Sequence, residues 1–214
     1  MIFLNNYISI KEKFDQINLK SNCTFIVVSK NQNFIKIKEI IDRGHIDFGE
    51  NRVLETKNKW EIFLQNHPKK VRLHLIGKLQ TNKAKEAVRI FDYIHTLDSI
   101  KLAKELNAEQ NKISKSIKYF IQVNLANEQQ KSGILKEDLS EFLNFCKTET
   151  NLDIIGLMCL PPFGEDSEKY FSELYNLNIR FSLKELSMGM SGDYILAIKK
   201  GSTFVRIGSA IFTE

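Results

Sequence analysis

The stretch Thr24–Lys30, TFIVVSK, runs a short apolar strand straight into a lysine. A lysine in that position either surfaces into water or presents an amine to a cavity. A primary amine beside a bound aldehyde condenses to an imine, and burial together with a neighbouring cation favours its reactive, uncharged form. Two further stretches carry chemistry: LSMGMS at 186–191 and VRIGSA at 205–210 each close an apolar run with glycine and serine. Gly189 and Gly208 allow backbone N–H groups to approach an anion closely. Ser191 and Ser209 place hydroxyls at expected helix N-termini, where the dipole favours negative charge. Arg206 adds a planar, permanent cation. The three stretches together describe an amine beside a phosphate-type site.

The elements that would position these residues repeat along the chain. Apolar runs at 24–29, 45–49, 71–77, 93–97, 117–125, 152–158, 184–188 and 202–208 read as eight strands. Segments of helical period separate them, as in Phe34, Ile37 and Ile41 before Gly44, or Leu102, Ala103 and Leu106 behind Asp98-Ser99, which can cap their helix. Asn51 is placed to cap the helix carrying Val53, Trp60 and Phe63. Strand–helix alternation implies a parallel sheet with covering helices. Eight repeats in 214 residues fit an α/β fold, a single (β/α)8 TIM-type barrel over 1–214, with an open doubly wound sheet as the alternative. Ile10, Phe14 and Ile17 mark an extra N-terminal helix, expected to be short. In such a barrel the chemistry sits at the C-terminal strand ends, which here are Ser29-Lys30, Gly49-Glu50-Asn51, His74 to Gly77, His95-Thr96, Gln122 to Asn124, Met158, Ser187 to Ser191 and Arg206 to Ser209. The turns after strands seven and eight are the usual phosphate position.

Composition excludes several classes. Apolar residues make up 43% and charged residues 27%, an ordinary globular profile. The net charge of +5 is spread among acids rather than gathered with aromatics, so no nucleic-acid partner is expected. No apolar run is long enough to span a membrane. Cys23, Cys146 and Cys159 show no disulfide or metal-ligand spacing, and the start of the chain does not read as a signal peptide; a cytoplasmic protein without a metal is expected.

At these residues the sequence resembles the pyridoxal phosphate homeostasis proteins, whose fold is similar to the N-terminal barrel of alanine racemase. The resemblance rests on VVSK at 27–30, FGENRVLE at 48–55, HLIGKLQTNK at 74–83, HTLDS at 95–99, IQVNLANEQQKSGI at 121–134, GLMCLPP at 156–162, LSMGMSGD at 186–193 and GSTFVRIGSAIF at 201–212. It implies pyridoxal 5'-phosphate (PLP) as cofactor, with Lys30 as its Schiff-base lysine. Ser187, Met188, Ser191, Gly208 and Ser209 would surround the phosphate and ring. Arg206 would face either the phosphate or the pyridine nitrogen, and Asn51 and His74 would lie near the ring. Lys83 and Lys131 would be secondary or transit sites. Family members usually continue Ile-Phe-Gly where this chain has Ile211-Phe212-Thr213-Glu214. The function implied is a monomeric PLP carrier serving PLP-dependent apoenzymes, without catalysis, because a racemase of this fold needs a second domain. A stand-alone PLP enzyme acting on amino acids is the alternative, and the residues alone also admit an aldolase-like barrel using Lys30 without a cofactor.

Overall fold

The computed structural model describes residues 2–18, 22–67, 70–113, 115–128 and 132–213. Its strands are β1 (Thr24–Val28), β2 (Asp47–Glu50), β3 (Arg72–Leu75), β4 (Tyr93–Leu97), β5 (Lys118–Asn124), β6 (Ile134–Leu135), β7 (Asp153–Met158), β8 (Glu185–Met190) and β9 (Phe204–Ile207). The helices are α1 (Ile2–Asn18), α2 (Phe34–Ile41), α3 (Val53–Asn66), α4 (Ala84–Ile90), α5 (Ile100–Gln110), α6 (Leu139–Glu149), α7 (Ser167–Arg180), α8 (Tyr194–Lys199) and α9 (Ser209–Phe212), with a 3₁₀ turn at Thr81–Lys83. Pairing runs β4-β3-β2-β1-β9-β8-β7-β5, and β4 also pairs with β5, so eight parallel strands close on themselves. The expected barrel is therefore present. β6, which the sequence reading does not contain, lies outside the ring and pairs only with β5, through Val123↔Ile134 and Asn124↔Leu135.

The strands are apolar throughout because both faces are buried. In β1, Phe25 and Val27 join the large cluster that also holds helix residues such as Ile37, Ile40 and Ile41. Ile26 points the other way and packs in the barrel with Tyr93, Phe120, Met158 and Phe204. That interior cluster is small, and polar side chains fill the rest: Asp47, His74, His95, Ser187 and Arg206 are all buried.

Local departures from the sequence reading have identifiable causes. Helix α1 spans 17 residues, longer than expected, and buries Phe3, Tyr7 and Phe14. Phe14 and Tyr7 pack on Phe25, and Phe3 stacks on Phe212 of α9, so the residues after β9 form a helical turn held against α1. Asn51 does not cap α3; Arg52 occupies that position without a side-chain hydrogen bond. Ser99 caps α5 as expected, accepting from the Leu102 N–H at 3.2 Å. β8 runs two residues beyond its expected end, because Gly189 takes φ +93° and shifts the register between Ser187 and Met190. Among the described residues no helix is long and apolar enough to cross a membrane, and no group of three or more His, Cys, Asp or Glu is placed to hold a metal ion.

Candidate functional site

Because the eight barrel strands are parallel, their C-terminal ends gather at one mouth. A cavity of about 890 Å³ opens there, and Lys30, Asn51, Ser191, Arg206, Gly208 and Ser209 all line it. Residues from β1, β2, β8 and β9 that are far apart in sequence thus meet in one space.

Lys30 follows β1, is exposed and lines the cavity. The residue before it is fixed. Ser29 donates its N–H to the Gly49 carbonyl at 2.9 Å and its hydroxyl to Glu50 at 2.7 Å. Glu50 is 2% exposed and also accepts from Trp60 Nε1 at 3.0 Å and Lys59 Nζ at 3.0 Å. Lys59 donates a further bond to the Ser29 carbonyl at 2.8 Å. A buried carboxylate needs this many donors, and the result is a clamp directly behind Lys30.

At the end of the neighbouring strand, Asn51 packs against Gly77. A Cβ at Gly77 would stand 2.3 Å from the Asn51 carbonyl oxygen, so only glycine allows the two strand ends to approach this closely. The Asn51 side-chain oxygen is buried and has no hydrogen-bond partner among the described residues. At the next corner the Ser191 hydroxyl accepts from the N–H groups of Gly208 and Ala210, each at 3.3 Å. A Cβ on Gly208 would come 2.9 Å from Val28 Cβ. The turn after β9 is thereby pressed against β1 with its N–H groups turned toward an oxygen. Pro161 to Gly164 and Met190 form the rim, where the Phe163 side chain is fully exposed.

Arg206 forms the floor and is 3% exposed. Its Nη1 donates to the Ser187 hydroxyl at 2.5 Å and its Nη2 to the Cys159 carbonyl at 3.1 Å. It makes no ion pair among the described residues, and burial lowers its pKa to about 10. Below it lie two predicted residues that do not reach the cavity. Ser187 hydrogen-bonds to His95 Nδ1 at 2.8 Å, and His95 Nε2 lies 3.0 Å from His74 Nδ1. His74 Nε2 meets Asp47 at 3.0 Å, and Asp47 accepts two bonds from Arg72. Burial lowers both imidazole pKa values; for His74 it outweighs Asp47, and for His95 the charges of His74 and Arg206 add to it. Burial alone would raise the Asp47 carboxyl, but the hydrogen bonds of His74 and Arg72 and the Arg72 charge hold it below its ordinary value.

Met188 is placed elsewhere: it is fully buried in the cluster between sheet and helices and does not line the cavity. Lys83 is half-buried in the 3₁₀ turn and does not line it either, while Lys131 lies outside the described residues. Burial pushes the thiols of Cys23, Cys146 and Cys159 up to about 12, so none is a nucleophile near neutral pH. Asp47 is absent from the sequence-predicted set, and His95 appears in it only as a strand-end residue. Alternation offered the signal: Arg72 and His74 on β3, and Tyr93 and His95 on β4, occupy every second position of otherwise apolar strands and so share the inward face.

The sequence and the fold resemble those of known proteins. The family model described as alanine racemase, N-terminal domain, matches residues 12–214. A pyridoxal phosphate homeostasis protein of Synechocystis is 36% identical over 205 residues, covering 92% of this chain and 93% of its own. That of Vibrio alginolyticus is 36% identical over 196 residues, covering 87% and 84%. The PipY structure from Synechococcus elongatus solved without PLP superposes with a TM-score of 0.89 at 33% identity, covering 99% of this chain and 100% of its own. The structure of PipY with PLP bound gives 0.86 at the same identity and coverage. Alanine racemase from Corynebacterium glutamicum shares the fold, with a TM-score of 0.70 at 13% identity, and this chain spans 60% of its length.

Proposed function

The chain belongs to the pyridoxal phosphate homeostasis proteins of the alanine racemase N-terminal domain family, and from that premise we propose that it holds PLP at the barrel mouth through Lys30 and passes it on to PLP-dependent apoenzymes. When bound, PLP supplies an aldehyde that condenses reversibly with a primary amine and a phosphate that requires hydrogen-bond donors. The single observation that carries the reading is the meeting of the Lys30 amine, the Arg206 guanidinium and the turn of Ser191, Gly208 and Ser209 around one cavity. The partnerless Asn51 oxygen in the wall and the tight seat of Gly208 on Val28 fit a polar ligand lying between β2 and β9.

In this reading Lys30 is the amine that takes the aldehyde. The turn holding Ser191, Gly208 and Ser209 takes the phosphate, and Arg206 presents its free N–H groups from the floor. Met188 acts by packing β8 against the helices, so that Gly189 and Ser191 are set correctly. Ser187 and His74 act from beneath.

The protein acts as a carrier rather than an enzyme, as a cytoplasmic monomer. Two observations support the carrier reading. Among the described residues lining the cavity there is no histidine or tyrosine to serve as a second acid or base. The acids that do line it are engaged: Glu165 accepts from Lys169 and Tyr170 at 2.7 Å each, and Asp193 accepts from the Met190 N–H at 2.7 Å. Titration of the protein with PLP, followed by absorption, tests the reading. A new band at the visible edge that is lost in Lys30→Ala and does not decay on addition of L- or D-alanine is expected. A band that persists in Lys30→Ala contradicts the anchor, and rapid consumption of alanine contradicts the carrier.

A further inference from the structure

The buried groups beneath Arg206 form an unbroken series, Arg206–Ser187–His95–His74–Asp47, with successive distances of 2.5, 2.8, 3.0 and 3.0 Å. Every member is at most 6% exposed, and both imidazoles and Ser187 are fully buried. Each ring is held flat by an aromatic neighbour: Tyr93 stacks on His74 at 4.4 Å and Phe120 stacks on His95 at 4.4 Å.

With both imidazoles neutral and Asp47 ionised, the hydrogen-bonding capacities allow one direction only. An ionised carboxylate accepts and never donates, so His74 carries its proton on Nε2, toward Asp47. A neutral imidazole has one proton, which leaves His74 Nδ1 as an acceptor. His95 must then donate from Nε2, and its Nδ1 accepts the proton of the Ser187 hydroxyl. The Ser187 oxygen lone pairs are thus free for Arg206, which can only donate. Each link polarises the next in the same sense. The buried guanidinium, which has no ion pair among the described residues, is connected through this series to Asp47, whose charge is shared with Arg72 at the far end.

We propose that Asp47 is a remote positioning residue for the PLP site: through His74, His95 and Ser187 it fixes the donor pattern that holds the Arg206 guanidinium at the floor of the cavity. Its effect on ligand binding rests on the PLP reading above; its effect on the histidine protons does not. The alternative, that these groups merely fill the barrel as separate structural hydrogen bonds, leaves the two ends independent.

Two measurements separate these. In protein labelled with ¹⁵N-histidine and free of PLP, NMR should show His74 and His95 both neutral with the proton on Nε2 at neutral pH. Ser187→Ala should leave both tautomers unchanged, whereas Asp47→Asn should disturb the tautomer of His95, with which Asp47 makes no hydrogen bond. A proton on Nδ1 of either wild-type ring, or an undisturbed His95 in Asp47→Asn, overturns the proposal. In the second measurement, Asp47→Asn and Ser187→Ala should each weaken PLP binding about 3- to 10-fold, the scale of one hydrogen bond. The double variant should lose no more than the weaker-binding single one. Losses that multiply overturn the proposal, because unconnected sites add in free energy. Wild-type protein that keeps both tautomers yet binds no PLP counts against the proposed function and leaves the direction of the series standing. If Asp47→Asn fails to fold, His95→Gln paired with Ser187→Ala makes the same comparison from inside the series.

Discussion

The carboxylate of Glu50 accepts the hydroxyl of Ser29 at 2.7 Å, one residue before the lysine that reaches into the cavity. The bond ties the end of β1 to the end of β2, and through Lys59 and Trp60 to α3. The position of Lys30 is therefore set by a buried cluster that does not line the cavity. Glu50→Ala leaves Ser29, Lys59 and Trp60 without their acceptor, and stability should fall by about 3 kcal/mol, the scale for breaking a buried ion pair. Glu50→Gln keeps one acceptor oxygen and should lose about half as much. Urea unfolding midpoints measure both, and a loss below ~1 kcal/mol for Glu50→Ala would show that the cluster does not hold the strand ends.

The Ser191 hydroxyl organises the N–H groups of Gly208 and Ala210. Ser191→Ala should weaken PLP binding about 5- to 10-fold, the scale of one or two hydrogen bonds. Binding of pyridoxal, which has the aldehyde but no phosphate, should not change. Equal losses for both ligands would place the phosphate elsewhere.

Gly77→Ala drives a methyl group to 2.3 Å from the Asn51 carbonyl oxygen. Neither backbone can yield without opening the β2–β3 corner, so a stability loss of about 1–3 kcal/mol is expected, the usual cost of overpacking. Weaker PLP binding should accompany it, because Asn51 lines the cavity. A variant with wild-type thermal unfolding would contradict the close approach.

Acid should destabilise the fold before the carboxylates titrate. Burial lowers the pKa of His45, between Tyr7 and the Asp47 carbonyl, to about 4. The unfolded ring titrates near ~6.5. Between these values the unfolded chain binds more protons, so stability rises with pH: the contribution is complete above ~6.5 and is lost progressively toward pH ~4, amounting to about 3 kcal/mol. His74 and His95 are shifted in the same direction and add to the loss. Asp47, held low, contributes stability that is complete above its ordinary carboxylate range and is lost only as pH falls below it. Unfolding midpoints at about pH 7.5 and about pH 5 measure the slope, which should be shallower in His45→Phe. A midpoint that is the same at both pH values would contradict neutral, buried imidazoles.

The barrel was legible because its strands are apolar on both faces and its helices keep their period; Tyr93–Leu97 matches its expected limits to the residue. The turns around Gly189 and Gly208 were legible because glycine and serine cluster where strands end. The two-residue β6 carries too little pattern to be read. Met188, expected beside the cofactor, is buried between sheet and helices instead: at a strand end, every second side chain faces the helices, and its neighbour Ser187 is the one that faces inward. The Asp47–His74–His95 series was hidden for a different reason. It joins three strands, and only their register brings those side chains together, as in Gly49↔His74 and His74↔Tyr93.

The central assignment is the amine of Lys30. Borohydride reduction of the PLP-loaded protein, followed by mass spectrometry of its tryptic peptides, reads that amine directly. A fixed pyridoxyl group on the peptide containing Lys30, absent from Lys30→Ala, is the predicted result; its appearance on Lys83 or another lysine in place of Lys30, or on none, would contradict it.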